Sequence, residues 1–236
     1  MSTIEVKGPE GQLVATVVGS GAPIPVLFIH ADAGNRHHWD AQLEHVSASR
    51  RAIAFDLRGA GDSEPPRDGD QSFAGRTADV GAVLDQLDVD RAVLVGHSGG
   101  AVVALTFAVA HPERVAGLLL VDPAGDPSAF PEEQREAVMR DLRGPAYETV
   151  SRNYYASLGG PNADVNERVI GDLLAAPKET VIGLFAALNA FEPKRLLDRF
   201  SGPTLVLVTP QTDQPWMLHR MGDLPHRIID GTGHWI

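Results

Sequence analysis

The chain has no cysteine among its 236 residues, which excludes disulfide bridges, thiolate metal sites and cysteine nucleophiles together. Long apolar runs are also missing, and no stretch approaches the roughly 20 residues that a membrane-spanning helix needs. The first residues, MSTIEVKGPEGQ, lack the basic and then apolar pattern of a secretory signal. We therefore expect a soluble, cytoplasmic protein.

Positive charge is scarce. Lysine and arginine total 20 against 31 acidic residues, for a net charge of -11. Because a nucleic-acid ligand requires a clustered basic surface, we expect a small-molecule partner, with neither nucleic acid nor membrane bound. The remaining composition, 43% hydrophobic and 22% charged, is that of an ordinary globular protein.

Short β-rich runs alternate with helical patterns along most of the chain. Helical spacing is seen at Trp39, Leu43 and Val46, for example. This alternation predicts an α/β fold with a doubly wound, mostly parallel sheet. The predicted strands are Leu13–Val18, Pro25–His30, Ala52–Asp56, Ala92–Gly96, Gly117–Asp122, Thr204–Thr209 and Arg227–Ile229.

The alternation stops after Asp122. Residues 123–201 contain only helical segments, such as the one carrying Val165, Val169 and Leu173 on one face. We predict a helical cap inserted into a core formed by residues 1–122 and 202–236.

A serine lies between glycines in GHSGG, residues 96–100. An apolar strand precedes it and a helix-forming segment follows it, which is the context of a nucleophile elbow. Such a turn forces Ser98 into a strained backbone conformation, so that only small residues fit around it. It also places the Gly99 amide at a helix amino terminus, where unpaired N–H groups favour negative charge. Ser98 is therefore the candidate nucleophile.

A serine nucleophile needs a base, and the base needs an orienting acid. His234 follows the last predicted strand, at the sheet edge where α/β proteins build their sites. Two aspartates satisfy the chain order of serine, acid and histidine. We favour Asp213, in the loop after Thr204–Thr209, and keep Asp122, at the end of the preceding strand, as the alternative.

Three ordered segments resemble the α/β-hydrolase superfamily in its form with a small helical cap. They are GHSGG, the DLRGAGDS segment at 56–63 and the tail GTGHWI at 231–236. The resemblance runs from about Gly11 to the end. It implies the α/β-hydrolase fold, a catalytic histidine in the tail and an acid after the seventh strand, with no cofactor. Metal-binding histidine spacings are absent, and Gly59-Ala60-Gly61 lacks the third glycine of a dinucleotide loop.

Two departures from the family pattern affect these expectations. The loop that supplies the second oxyanion amide usually begins His-Gly, whereas this chain has Ala31 and then Asp32. A carboxylate there would oppose a developing oxyanion, so we expect the Asp32 side chain to turn away or to be hydrogen-bonded. The family's C-terminal helix is also missing after Ile236, which predicts an apolar patch and self-association.

The sequence therefore predicts a serine hydrolase of small to medium carboxylic esters. Ser98, His234 and Asp213 would form the triad, and the amides of Gly99 and Asp32 would bind the oxyanion. A lactonase, a carbon–carbon bond hydrolase or a perhydrolase would use the same triad. A ligand-binding member of the fold with slow or no turnover is the alternative from another class.

Overall fold

The computed structural model describes residues 2–21 and 24–235. In these residues eight strands form one sheet in the order β1-β2-β4-β3-β5-β6-β7-β8. The strands β1 and β2, and β2 and β4, pair antiparallel, and all other neighbours pair parallel. The strand bounds are β1 Ser2–Lys7, β2 Gln12–Val18, β3 Val26–Ile29, β4 Ala52–Phe55, β5 Ala92–His97, β6 Val115–Val121, β7 Thr204–Val208 and β8 His226–Ile228.

The helices lie between these strands. Five of them, α4 to α8, fall between β6 and β7. Their bounds are α1 Asp40–Ser47, α2 Phe73–Gln86, α3 Gly99–Ala110, α4 Glu132–Arg143, α5 Tyr147–Ser157, α6 Ala163–Ala175, α7 Lys178–Asn189, α8 Pro193–Leu197 and α9 Leu218–Met221.

Apolar side chains cover both faces of the sheet. Leu27 and Ile29 of β3 join a core that includes Val80 of α2 and Val102 of α3. Phe28, the intervening residue, joins a second core with Trp39, just before α1, and Leu43 of α1. Because successive strand residues point to opposite faces, an almost wholly apolar strand must be covered on both sides. The predicted doubly wound α/β fold is confirmed.

The inserted helices have a core of their own. Leu142, Leu173 and Val181, from three different helices, are nearly or fully buried together. Ala33 and Trp235, from loops of the sheet domain, pack into the same cluster. The helical insertion is therefore joined to the loops at one edge of the sheet by apolar contacts. In the part of the chain that the structure describes, no helix combines the length and apolar character needed to cross a membrane.

The sequence patterns missed one strand, β1, which is largely exposed and rich in polar residues. It is an edge strand that lies antiparallel to β2, so it lacks the apolar run that identifies the central strands. At the other edge, Ile228 of β8 is 45% exposed. Ile236 lies outside the described residues, and self-association stays a prediction.

Candidate active site

Ser98 lies at a sharp turn between β5 and α3. Its backbone has φ 54° and ψ -120°, a left-handed conformation that is rare and strained for a residue with a side chain. The Ser98 N–H donates to the carbonyl of Val121 in the neighbouring strand, 2.9 Å away, which holds the turn against β6. The strand therefore ends at His97 and the helix begins at Gly99, with the serine at the corner.

The glycines of GHSGG are required by close backbone contacts. A Cβ on Gly96 would lie 2.4 Å from the carbonyl oxygen of Gly100, and a Cβ on Gly100 would lie 2.3 Å from that of His30. Such distances are well inside van der Waals contact, so neither position accepts a side chain. Small residues on both sides of the serine are thus a consequence of the tight turn, as the sequence predicted.

The candidate base, His234, is bonded to a buried carboxylate. Its Nδ1 atom lies 2.5 Å from Oδ2 of Asp122, which is fully buried at the end of β6. The other Asp122 oxygen accepts from the Thr212 hydroxyl. In the tautomer whose Nδ1–H donates to the carboxylate, the Nε2 atom of His234 has a free lone pair and can accept a proton.

Asp213, the acid that we favoured from sequence, does not contact His234. Both of its oxygens accept from the Arg220 guanidinium at 2.6 Å, and Oδ1 also contacts Nε2 of His219 at 2.9 Å. These hydrogen bonds to Arg220 and then His219 hold the pKa of Asp213 well below its usual range. The structure therefore corrects the pairing, and the alternative aspartate, Asp122, lies at the histidine.

The backbone N–H groups of Gly99 and Asp32 are candidates for the oxyanion site. In residues 2–21 and 24–235, neither N–H donates to another protein atom. Gly99 is the first residue of α3, so its N–H is one of the unpaired donors of a helix amino terminus. Their role as oxyanion donors stays a prediction.

The Asp32 side chain is buried and hydrogen-bonded, but it is not turned away. One of its oxygens accepts from Nη1 of Arg76, which is fully buried. The carboxylate also lies against Gly99, since a Cβ built on Gly99 would be 2.3 Å from both Asp32 oxygens. Arg76 belongs to α2, and its sequence position contained no signal of this contact.

Ser98, His234 and Asp32 line one narrow cavity. The cavity is small, with room for about one water molecule. The rest of the wall is mostly apolar and comes from the cap and the C-terminal loop: Tyr154, Tyr155, Leu158, Val181, Leu184, Phe185, Leu188 and Trp235. The cap therefore covers the candidate nucleophile and base.

Helix α5 of the cap is tied to both loops of the site. The Tyr155 hydroxyl donates to the Asp32 carbonyl at 2.7 Å, and the Tyr155 ring stacks on Trp235. Just beyond the helix, the Leu158 carbonyl accepts from the His234 N–H at 3.0 Å. Burial raises the pKa of Tyr155 well above its ordinary value, and the charge of Asp32 raises it further, so the hydroxyl stays a donor.

His97, next to the candidate nucleophile, supports the histidine loop. Its Nε2 atom lies 2.9 Å from the carbonyl oxygen of His234, and the two rings are 4.7 Å apart. Burial lowers the pKa of His97 well below its usual value, and the nearby His234 adds to the shift. His97 is therefore neutral near pH 7 and donates its Nε2–H to the loop.

The DLRGAGDS segment forms buried ion pairs below the site. Both oxygens of Asp79 accept from Arg58 at 2.7 and 2.8 Å, and Asp56 accepts from the backbone and side chain of Arg36. These residues are all nearly or fully buried. Their further hydrogen bonds, such as those from Arg58 to the carbonyls of Asp70 and Gly75, are also to protein groups. They therefore hold the loops in place, and none of them lines the cavity.

One group of side chains has metal-ligand chemistry. Asp213, His219 and His226 bring potential ligand atoms within 4.8 Å of one another. The guanidinium of Arg220 already binds both Asp213 oxygens, however, and a cation would have to displace it. The Asp213 carboxylate is therefore already paired with side chains of α9, and we assign no metal site to this group.

A family model described as the alpha/beta hydrolase fold matches residues 24–236. The chain belongs to this family. The resemblance inferred from the three sequence segments is confirmed.

Two curated relatives and one solved structure illustrate the similarity. A putative carbamate hydrolase of Variovorax paradoxus is 30% identical over 223 residues, which cover 89% of this chain and 84% of the relative. The 2-hydroxymuconate semialdehyde hydrolase of a Pseudomonas strain is 38% identical over 109 residues, covering 45% of this chain. A thermophilic esterase of Thermogutta terrifontis has 27% identity and a TM-score of 0.82, and the match covers 100% of this chain and 92% of that one.

The extent of these matches differs. The Pseudomonas match spans only 38% of that relative's length, and two other curated relatives are matched over 29% and 52% of theirs. The chain therefore shares the fold across its whole length with the esterase and shares only a segment with several curated enzymes.

Proposed function

We propose that the chain is a serine hydrolase that cleaves small to medium carboxylic esters through an acyl-enzyme. One observation carries the proposal: His234 is bonded through Nδ1 to buried Asp122 and lines the same cavity as Ser98. The bond leaves Nε2 as the free base, and the strained turn presents the serine hydroxyl to the cavity.

In the first half of the reaction, Ser98 Oγ attacks the ester carbonyl carbon while Nε2 of His234 takes the hydroxyl proton. The carbonyl oxygen becomes an oxyanion and accepts from the unpaired N–H groups of Gly99 and Asp32. The carbon–oxygen bond to the alcohol then breaks, and His234 returns the proton to the leaving alkoxide. Asp122 stabilises the imidazolium between these two transfers.

In the second half, a water molecule attacks the acyl-enzyme. His234 takes a proton from this water, the carbonyl oxygen again becomes an oxyanion, and the bond to Ser98 Oγ breaks. The proton returns to the serine, and the carboxylic acid leaves. The reaction consumes one ester and one water, and yields one acid and one alcohol.

The test is hydrolysis of p-nitrophenyl acetate, butyrate and octanoate by the native protein and by Ser98→Ala and His234→Ala. We expect either substitution to lower kcat by several orders of magnitude, because the two side chains act as a unit. The narrow cavity predicts that the octanoate is the poorest of the three substrates. Equal turnover by native protein and Ser98→Ala would refute the proposal.

Carbamates are a second candidate substrate class, favoured by the Variovorax relative whose name is putative carbamate hydrolase. The same triad would attack a carbamate carbonyl. Phenyl carbamate and phenyl acetate, compared at equal concentrations, separate the two classes. A kcat/KM for the carbamate above that for the acetate would favour the second candidate.

A further inference from the structure

Asp32 is a buried carboxylate with a hydrogen bond on only one of its two oxygens. Its side chain is 6% exposed, one oxygen is bonded to Arg76, and Oδ2 is buried with no hydrogen-bond partner in the described residues. A buried, unpaired carboxylate oxygen destabilises the folded protein, because it has lost its hydration without gaining a hydrogen bond. Such an atom needs an explanation.

The other buried carboxylates of the described chain differ from Asp32 in this respect. Asp56, Asp79 and Asp122 are all nearly or fully buried, and each has hydrogen bonds on both oxygens. Asp79 is the closest parallel, since it too is paired with a single arginine, but Arg58 binds both of its oxygens. Arg76 binds only one oxygen of Asp32, which leaves the second for another donor.

Asp32 lies beside the reacting groups. Asp32 lines the cavity together with Ser98 and His234. Its carboxylate also rests against the Cα of Gly99, the residue next to the nucleophile. A substrate carbonyl bound between Ser98 and the Gly99 amide would therefore bring its neighbouring atoms to Asp32.

The charge of Asp32 is balanced within the protein. The fully buried Arg76 supplies the opposite charge from α2 and does not line the cavity. Tyr155 holds the Asp32 backbone through its carbonyl, so the carboxylate is presented at a defined position. A balanced carboxylate accepts a hydrogen bond from a neutral donor and does not require a cation.

We propose that Asp32 is a specificity-determining residue that accepts a hydrogen bond from a hydroxyl or N–H group of the substrate, next to the scissile carbonyl. The proposal rests on the proposed serine-hydrolase function and deepens it. The substrates would be esters such as 2-hydroxyacyl esters, or esters whose alcohol carries a hydroxyl close to the ester oxygen. Purely apolar esters would leave the Asp32 oxygen unpaired, and a substrate carboxylate at this place would be repelled.

The test compares esters that differ only by a hydroxyl in place of a methyl group. Phenyl hydroxyacetate against phenyl propionate probes the acyl side, and 2-hydroxyethyl acetate against propyl acetate probes the alcohol side. For each pair the readout is the ratio of the two kcat/KM values. Intrinsic reactivity cancels when that ratio is compared between native protein and variants.

The first informative variant is Asp32→Asn, which replaces the carboxylate acceptor by an amide of the same size. The second is the double variant Asp32→Asn, Arg76→Gln. The double variant removes both buried charges together, so no uncompensated charge remains. We expect the native ratio to exceed the variant ratio by about tenfold or more in at least one pair. Asp85→Asn, an exposed aspartate paired with Arg114 on the surface, is the matched control and keeps the native ratio.

A binding measurement separates this proposal from the proposed function. Calorimetry with Ser98→Ala measures the affinity for the same ester pairs, and we expect tighter binding of the hydroxyl ester, lost when Asp32→Asn is added. If Ser98→Ala retained turnover, the serine mechanism would be refuted. The affinities measured by calorimetry would still test whether Asp32 binds the substrate hydroxyl. Equal ratios and equal affinities in native and Asp32 variants, for both pairs, would overturn the proposal.

Discussion

His234 is bonded to Asp122, at the end of β6, and not to Asp213, in the loop after β7. The sheet order explains why this pairing is available. β6 is the direct neighbour of β5, and the Ser98 N–H donates to Val121, the residue before Asp122. Asp122 therefore follows the strand next to that of Ser98, whereas a residue after β7 lies one strand further away.

This pairing predicts unequal effects of two matched substitutions. Asp122→Asn keeps the shape of the side chain but removes the charge that holds His234 in the productive tautomer. We expect kcat for p-nitrophenyl acetate to fall by about 10³- to 10⁴-fold, as in other serine triads. Circular dichroism and the thermal midpoint check that the variant is folded.

Asp213→Asn is the control for that experiment. It loosens the contact with Arg220 and His219, so we expect a small decrease in thermal midpoint and a kcat within a few-fold of native. The opposite pattern, with a severe loss of kcat in Asp213→Asn and little loss in Asp122→Asn, would contradict the geometry.

A second prediction concerns the contact between Asp32 and Gly99. Gly99→Ala places a Cβ 2.3 Å from both carboxylate oxygens, so either the loop or the elbow must shift. We expect about 1–3 kcal/mol of destabilisation and a marked loss of kcat. Because the clash is with the Asp32 side chain, the cost of Gly99→Ala should be smaller in an Asp32→Ala background.

Urea unfolding of the four proteins in this cycle measures the coupling between the two positions. Additive free energies of unfolding would show that Asp32 does not limit the space at residue 99.

A third prediction follows from His97 and concerns stability at acid pH. Burial lowers the pKa of this imidazole in the folded protein, whereas the unfolded chain has the ordinary value of 6.5. Below that pH the unfolded state binds a proton that the folded state does not, so the free energy of unfolding falls as pH falls. One such group contributes at most about 1.4 kcal/mol per pH unit.

The measurement is urea unfolding of native protein and His97→Gln between pH 7.5 and 5. The native protein should lose more stability than the variant over the acid half of this range, because glutamine has no proton to exclude. His30 and His219, whose pKa values are also lowered by burial, contribute a slope that both proteins share. Parallel stability curves would refute the assignment.

A fourth prediction tests the link between the cap and the candidate oxyanion loop. Tyr155→Phe removes the hydrogen bond to the Asp32 carbonyl and keeps the ring that stacks on Trp235. We expect a loss of about 1 kcal/mol in the free energy of unfolding and a several-fold decrease in kcat/KM, since the loop is less firmly positioned.

Tyr147→Phe, which removes a hydroxyl from the first residue of the same helix, is the matched control. It contacts neither Asp32 nor the cavity, so its kcat/KM should equal that of native protein. Equal effects of the two substitutions would indicate a general loss of cap stability in place of the specific link.

Much of the fold was predictable because its signals are local. The apolar runs identify the central strands, which are buried on both faces, and the spacing of Val165, Val169 and Leu173 lies within α6 as expected. β1 was not predicted, because an exposed edge strand carries no such run. The Arg76–Asp32 pair was not predicted, because its two members are 44 residues apart and neither lies in a motif.

The sequence by itself determined the elbow at Ser98 and the position of His234 in the loop after the last strand, since glycine spacing and strand ends are properties of neighbouring residues. Only the tertiary structure decided which aspartate reaches that histidine. Two carboxylates in the same chain order are equivalent in sequence, and the choice depends on what else surrounds each one. Arg220 and His219 bind Asp213, whereas Asp122 is buried beside His234, and such competition exists only once the chain is folded.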